Sequence, residues 1–344
     1  MPLTLLVPDL FPPAAFPTDW PSTPGLDTLL SKGRLERGDP MTQEDWLLNA
    51  FSLRGAPVAA LRRLSARAEL MPESAVASAD ADHWLCADPV HLRIERDHLQ
   101  LISAAQFTLT AGEAEALVRT LNPHLAQDGL EIRVISPTEW IVHVAATAPP
   151  ATTPLWRVAD KSIFEHLPGE AGGIDWKRLG NEIQMLLHEH PVNVARESRG
   201  EPPISSVWFW GGDALTAEPG LAPEFIYSED TLTRGLAVHG KSEYRVTPPT
   251  FAHWYDSRPE AGMSLVVLDD LSRAVRAHDA AGWRAALETM ERNWFQPVMQ
   301  AVWDKRLPMV RAVFPGERHT QYLHLARLDL WKLWRSRRPA HLHG

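Results

Sequence analysis

Along this chain, short runs of consecutive apolar residues alternate with longer stretches in which apolar residues return every three or four positions. The first pattern suits buried strands, and the second suits helices that lay one face on a sheet. Residues 3–7 form a compact apolar run closed by Pro8-Asp9 and predict a first strand. A proline-rich connection runs to Pro24. Leu26, Leu29 and Leu30 then mark a short helix that stops near Gly33. Thr42-Gln43-Glu44-Asp45 opens another helix in the manner of a capping box, with Thr42 as N-cap and Trp46, Leu47, Ala50 and Phe51 following. Residues 57–71 predict a third, with Leu61, Leu64 and Ala68 at helical spacing.

From His83 the period changes. WLCADPVHLRIERDHLQLI reads as paired strands, residues 110–125 as a helix with Ala114, Leu117, Val118 and Leu121 on one face, and 130–135 and 140–144 as two more strands. Strands flanking one helix predict a small α+β lobe. It is bounded by the alanine-rich polar stretch 73–82 and by AATAPPATTP, residues 145–154. The expected organisation is therefore an α/β main domain over 1–72 and 151–344, with the lobe 73–150 inserted into it. In the later part, a helix over 175–190 carries Leu179, Ile183 and His190 on one side, and His190-Pro191 ends it. A short basic turn capped by Gly200 follows. A strand over 204–210 then runs into Gly211-Gly212, at the edge of the main sheet. Residues 231–238 predict a helix, 244–246 a strand, and 263–268 a strand that ends in Asp269-Asp270. The most regular helix covers 280–302, with Trp283, Leu287, Met290, Trp294 and Val298 in phase. Strands near 309–314 and 322–328 precede a basic last helix over 330–338, and His341 and His343 are solvated.

Composition narrows the function. The 344 residues are 44% hydrophobic and 22% charged, enough to bury a sizeable core. A net charge of −9, without a basic stripe before the C-terminus, excludes nucleic acid as a general partner. A single cysteine, Cys86, rules out an internal disulfide and a cysteine-built zinc site. MPLTLLVPDLFPP has no positive leader and too short an apolar run for a signal or membrane segment, so a cytoplasmic protein without a membrane partner is expected. P-loop, GxSxG and HExxH motifs are absent from the sequence. Strand ends are where α/β sheets place ligands, which makes Asp9, Asp269, Asp270 and the paired glycines candidates. Each has a plain alternative: Asp9 as a turn residue and Asp270 as a helix N-cap. His188 and His190 diverge by about 200° on a helix, so they face one metal only if the backbone there is extended.

Taken together, these residues resemble a known family. HPVNVARESRGEPPISSVWFWGG is similar to the HPVN…R…G…P…N…GxG stretch of cofactor-independent phosphoglycerate mutases, the archaeal-type branch above all. In the same order, VPDL, GLDTLLSKG, LTAGEAEALVRTLNPHL and LVVLDDL with ALETMERN resemble that family's first strand, first helix, lobe helix and late metal motif. WLCADPVHL and WFWGG resemble a bacterial family described both as phosphoglycerate-mutase-like and as a regulatory protein of RpfE type.

The resemblance implies an alkaline-phosphatase-like α/β fold with helices on both faces and an inserted lobe. In active members two divalent metals activate a Ser or Thr nucleophile. It puts Asp9 at a metal position, Thr42 at the nucleophile, and Asp269 or Asp270 in the late motif. The sequence departs from the pattern in three places. Leu10 stands where a glycine is expected. Arg273 and Ala274 stand where a histidine is expected, with His278 too far along. No Asp-His pair occurs between Trp303 and Leu330. The expectation is a mutase-like protein with an incomplete metal site and no required cofactor, acting as a regulatory or phospho-ligand-binding protein. Asn193, Arg196, Trp210, Gly211 and Gly212 would form its pocket for a phosphorylated small acid, with Arg196 as the anion contact or else in a salt bridge. The rival is an active phosphotransferase or phosphohydrolase with Thr42 as nucleophile and Mn or Zn on Asp9, Asp269, Asp270 and His278. A third reading is a protein partner docked on a tryptophan-rich surface.

Overall fold

The computed structural model describes residues 2–11, 20–70, 83–95, 99–145, 150–215 and 222–331. The expected proline-rich connection over 12–19, the linker 73–82 and the basic segment from Lys332 through His341 and His343 lie outside them. Two compact units are present, one made of Met1–Ser52 with Glu218–Gly344 and the other of Leu53–Ala217. Among the described residues no helix is long and apolar enough to cross a membrane.

The strands are β1 (Leu3–Leu6), β2 (Arg34–Gly38), β3 (His83–Ile94), β4 (Leu99–Ser103), β5 (Leu130–Ser136), β6 (Glu139–Val144), β7 (Glu170–Ala171), β8 (Ile174–Asp175), β9 (Ser206–Trp210), β10 (Phe225–Tyr227), β11 (Glu243–Arg245), β12 (Ser264–Val267), β13 (Met309–Phe314) and β14 (Thr320–Ala326). In the first unit they build a seven-stranded sheet in the order β11-β10-β12-β1-β13-β14-β2. β11, β10, β12, β1 and β13 run parallel, whereas β14 pairs antiparallel with both β13 and β2. β1 and β12, LTLL and SLVV, are mostly apolar, and all their residues but Thr4 are buried, as befits parallel strands in the middle of a sheet.

Two of the helices that build the core of this unit come from expected periodic segments, whereas helix Phe251–Ser257 lies where the sequence predicts no helix. Leu26, Leu29 and Leu30 of helix Pro24–Lys32, Phe251 and Trp254 of helix Phe251–Ser257, and Trp283, Leu287 and Met290 of helix Ala280–Met290 all enter one core with Leu3, Leu5 and Val266. The segment expected as one helix over 280–302 is interrupted. A π-turn, Glu291–Phe295, separates helix Ala280–Met290 from helix Gln296–Trp303. The extra residue in that turn faces Glu291 toward helix Pro24–Lys32. Its carboxylate accepts the Gly25 and Leu26 N–H groups at 2.7 and 3.0 Å, the donors that begin a helix without an internal partner. Gly25 is required there, because a Cβ would stand 2.6 Å from the Gln296 backbone.

The second unit holds an antiparallel sheet centred on the twelve-residue β3. One edge of β3 pairs β6 through Cys86 and then β4 from Val90 onward, and the other edge pairs β9. β5 completes the order beside β6. Helix Ala111–Leu125 starts on a capping box between Thr110 and Glu113, and helix Trp176–His188 starts on the Asp175 side chain. Leu117 and Leu121 of the first, Leu179, Ile183 and Leu187 of the second, and Phe209 of β9 share one core.

That shared core moves the expected boundaries. Residues 73–150 alone leave the face of helix Ala111–Leu125 uncovered; helix Trp176–His188 and β9 cover it, so the unit extends to 53–217. The strand expected over 204–210 is present, but β3 is its partner, not the main sheet. Pro191 does not only stop a helix. It is the first residue of another, Pro191–Ser198, where its missing N–H is no loss, and the His190 ring Nδ1 accepts the Val192 N–H at 3.2 Å.

Candidate functional site

Parallel strands of the first unit deliver several acidic residues to one sheet edge. β1 and β12 are in register from Leu3↔Ser264 to Leu6↔Val267, and the Leu268 N–H donates to the Leu6 carbonyl at 2.9 Å. Asp9 and Asp269 therefore follow adjacent strands at their carboxyl ends, the position such sheets use for ligands. Asp9 has a left-handed backbone, φ 55°, and its carbonyl accepts the Trp283 indole N–H at 3.0 Å. Asp269 precedes helix Asp270–Arg276 without capping it through its side chain. Burial raises the Asp269 carboxyl above the ordinary range, and Asp230 and Asp270 add to the rise by repulsion while Arg276 opposes it.

Two acids that the sequence reading left out belong to this edge. Glu44 is raised chiefly by burial, with a contribution from Asp230, against hydrogen bonds that include the Thr42 hydroxyl and against the Arg276 guanidinium. Asp230 follows β10. One of its oxygens accepts the Thr233 N–H at 2.7 Å as the N-cap of helix Thr231–Gly240, and the other accepts the Ser228 hydroxyl at 2.5 Å and the Thr233 hydroxyl. A turn acid and a cap acid look alike in sequence. Only the tertiary fold shows that Glu44 and Asp269 both feel Asp230 and Arg276.

Thr42 is the N-cap of helix Gln43–Ala50, as expected: its hydroxyl accepts the Asp45 N–H at 3.1 Å. His278 sits beyond the far end of helix Asp270–Arg276, in a left-handed turn at φ 51°. A helix of that length spans about 10 Å, so His278 and Asp270 cannot both ligate one ion. Among the described residues, no three His, Cys, Asp or Glu side chains are grouped to hold a metal ion. The donor chemistry agrees, for Asp230 spends both oxygens on hydroxyl and amide donors. Among the described residues, the side chains present do not assemble the ligand set of the two-metal site that the resemblance implies.

The segment expected to form a pocket lies in the second unit, and its polar groups face inward. The Asn193 amide donates to the Leu187 and Ile204 carbonyls at 2.8 and 2.7 Å, and its oxygen accepts the Ile204 N–H at 2.8 Å. Arg196 is fully buried. It donates to the Pro202 carbonyl at 2.9 Å, lies 3.4 Å from Glu113 and 3.5 Å from Glu201, and covers the Phe107 ring. These contacts include salt bridges through Nη1, while Nη2 is buried without a hydrogen-bond partner among the described residues. Gly211 has φ 72°, and a Cβ on Gly212 would stand 2.3 Å from a Leu85 methyl. Both glycines answer to the packing of β9 on β3. Trp210 is buried, edge-on to Trp156, and donates its indole N–H to Asp88 at 2.9 Å.

Asp88 is the hub of that unit, and it too was absent from the expected site. Its carboxylate takes both prongs of Arg62 at 2.6 and 3.0 Å, the Trp140 N–H at 3.1 Å and the Trp210 indole. Burial raises the proton affinity of Asp88 and the Arg62 guanidinium lowers it. Four donors hold this carboxylate, two of them from Arg62, which also donates to the Trp140 carbonyl at 3.3 Å. The available signal was an acid in the middle of an apolar strand, since such a residue is buried only when paired. Cys86, also buried, has its thiol pushed up by desolvation and is no nucleophile. The tryptophans expected to form an interface are mostly core. Trp84, Trp140, Trp176, Trp208, Trp210, Trp254, Trp283 and Trp294 are buried, whereas Trp303 and Trp331 stack on each other in the open.

No family model matches the chain. The 2,3-bisphosphoglycerate-independent phosphoglycerate mutase of Methanosarcina barkeri (strain Fusaro) is 30% identical over 231 residues, 59% of this chain and 55% of that protein. The mutase of the same description from Methanosarcina mazei is 24% identical over the same shares. The chain thus spans about half the length of the curated relatives it matches. In fold it is similar to the PH0037 protein of Pyrococcus horikoshii, with a TM-score of 0.51 at 13% identity, covering 94% of this chain and 87% of that one. The expected architecture, a helix-flanked mixed sheet with a smaller antiparallel lobe, is the one observed. Over 59% of its length the chain is thus similar in sequence to cofactor-independent phosphoglycerate mutases.

Proposed function

We propose that this chain is a phosphoglycerate-mutase-like protein that does not run the two-metal reaction and serves as a regulatory or ligand-binding protein. One observation carries the reading. Among the described residues no three His, Cys, Asp or Glu side chains are grouped to hold a metal ion, and one acid of the carboxyl edge, Asp230, is occupied as a helix cap. Thr42, bonded to the Asp45 amide, stabilises its helix whether or not any chemistry occurs.

The test is metal analysis of the purified full chain, followed by mutase and generic phosphatase assays with added manganese. The expected result is substoichiometric metal and no turnover above background. Stoichiometric metal with turnover abolished in Thr42→Ala would overturn the proposal. That outcome belongs to the second reading, an active metal-dependent phosphotransferase. It is favoured by one feature, the mutual repulsion of Asp230, Asp269 and Asp270, which a bound cation would relieve. Binding of 3-phosphoglycerate by calorimetry completes the comparison. Affinity that survives Arg196→Gln would take the phosphorylated acid away from the HPVN segment.

A further inference from the structure

A concavity of the first unit lies at the end of the sheet opposite Asp9 and Asp269, where β12 and β13 begin. Its volume is about 310 Å³, at the lower limit of small-molecule sites, and Tyr255, Asp256, Arg258, Glu260 and Arg306 supply its polar wall. Tyr255 and Asp256 come from the end of helix Phe251–Ser257, Arg258 and Glu260 from the turn after it, and Arg306 from the turn before β13. Pro259 and Pro308 complete the lining and fix the two turns.

Both guanidiniums address the same ring. Arg258 lies 3.3 Å from the Tyr255 centroid and donates to the Tyr255 carbonyl, and Arg306 lies 5.6 Å from that centroid. Arg258 is thereby held in place with most of its five N–H donors still unspent. The charges do not close on one another. Among the described residues, no ion pair joins Asp256 or Glu260 to either arginine, and Arg306 makes only a 3.6 Å contact with Asp304 outside the cavity. Two cationic and two anionic groups thus line one cavity and leave donors and acceptors of both signs facing a guest. A simple anion would meet Asp256 and Glu260, and a simple cation would meet the arginines. A molecule with one charge of each sign meets neither penalty.

We propose that this cavity is a binding site for a small zwitterion of the amino-acid class, its carboxylate on Arg258 and Arg306 and its ammonium on Asp256 and Glu260. The inference is independent of the reading given for the carboxyl edge, which lies at the opposite end of the strands. The experiment is calorimetric titration of the full chain with each of the twenty common L-amino acids, with acetate and methylamine as single-charge probes. At least one amino acid is expected to bind saturably at one site, with acetate and methylamine at least tenfold weaker. Arg306→Gln and Glu260→Gln, both at exposed positions, are each expected to weaken that binding at least tenfold without changing the thermal midpoint of the free protein. Absence of saturable binding by any amino acid, equal affinity for acetate, or binding that either variant leaves unchanged would overturn the proposal.

Discussion

The carboxylates of the two units have opposite fates. In the second unit Asp88 is 1% exposed and collects four donors, two of them from a guanidinium of matching geometry. In the first unit Asp269 and Glu44 are desolvated among like charges, and a single arginine acts on both. Burial does not decide whether a charge holds a fold together; the count of donors around it does. Asp88 is a completed network, whereas the edge acids are retained at a cost in stability.

The largest expected effect tests the first half of that contrast. Asp88→Ala leaves Arg62 buried with only the Trp140 carbonyl at 3.3 Å and Glu139 at 3.5 Å as polar partners among the described residues, and should lower stability by about 3–5 kcal/mol in urea titrations followed by tryptophan fluorescence. A loss below about 1 kcal/mol would mean that water or Glu139 replaces Asp88. Glu291→Ala comes next, since it strips two donors at the start of helix Pro24–Lys32. A loss of about 1–2 kcal/mol is expected, the range for removing a helix cap.

The sign should then reverse. Asp269→Asn removes a like charge and a desolvated anion, and is expected to stabilise by a few tenths to about 1 kcal/mol. The effect depends on pH. Because the folded carboxyl is raised above its unfolded value, the native state takes up the proton first as pH falls. The deficit relative to the Asn variant should therefore shrink as pH drops from 7 into the carboxylate range. A gap that widens on acidification would show that Asp269 is paired after all.

The smallest effect concerns His190, held below its ordinary pKa by burial, with Nδ1 accepting the Val192 N–H and Nε2 3.0 Å from the Thr120 hydroxyl. Here the unfolded chain protonates first. Wild-type stability should fall as pH drops below about 6.5, and His190→Asn, which keeps a capping oxygen, should flatten that limb by less than about 1 kcal/mol.

Local chemistry was legible in the sequence, and partnership was not. Thr42 and Thr110 announce their helices because a cap reads only its next three residues. The strand over 204–210 is likewise written in its apolar run. That it pairs with β3 depends on a residue more than a hundred positions away, which no local period encodes. The same gap hid the site acids. Asp88 needs Arg62, and Glu44 needs Asp230 and Arg276, so each looked like an ordinary strand or cap residue until the topology brought them together. In the HPVN segment, too, the partners are not local, for Arg196 reaches Glu113 on another helix as well as Pro202 of its own loop.

The π-turn at Glu291–Phe295 makes the long helical arm intolerant of a one-residue deletion. Excising one position there would restore even winding, which is locally favourable, and rotate everything downstream by about 100°. Val298 and Val302, now wholly enclosed, would swing toward solvent, and Glu291 would lose its aim at the neighbouring helix. Descendants of this chain can vary freely in its surface turns, but the count of residues between Met290 and Gln296 is one they must keep.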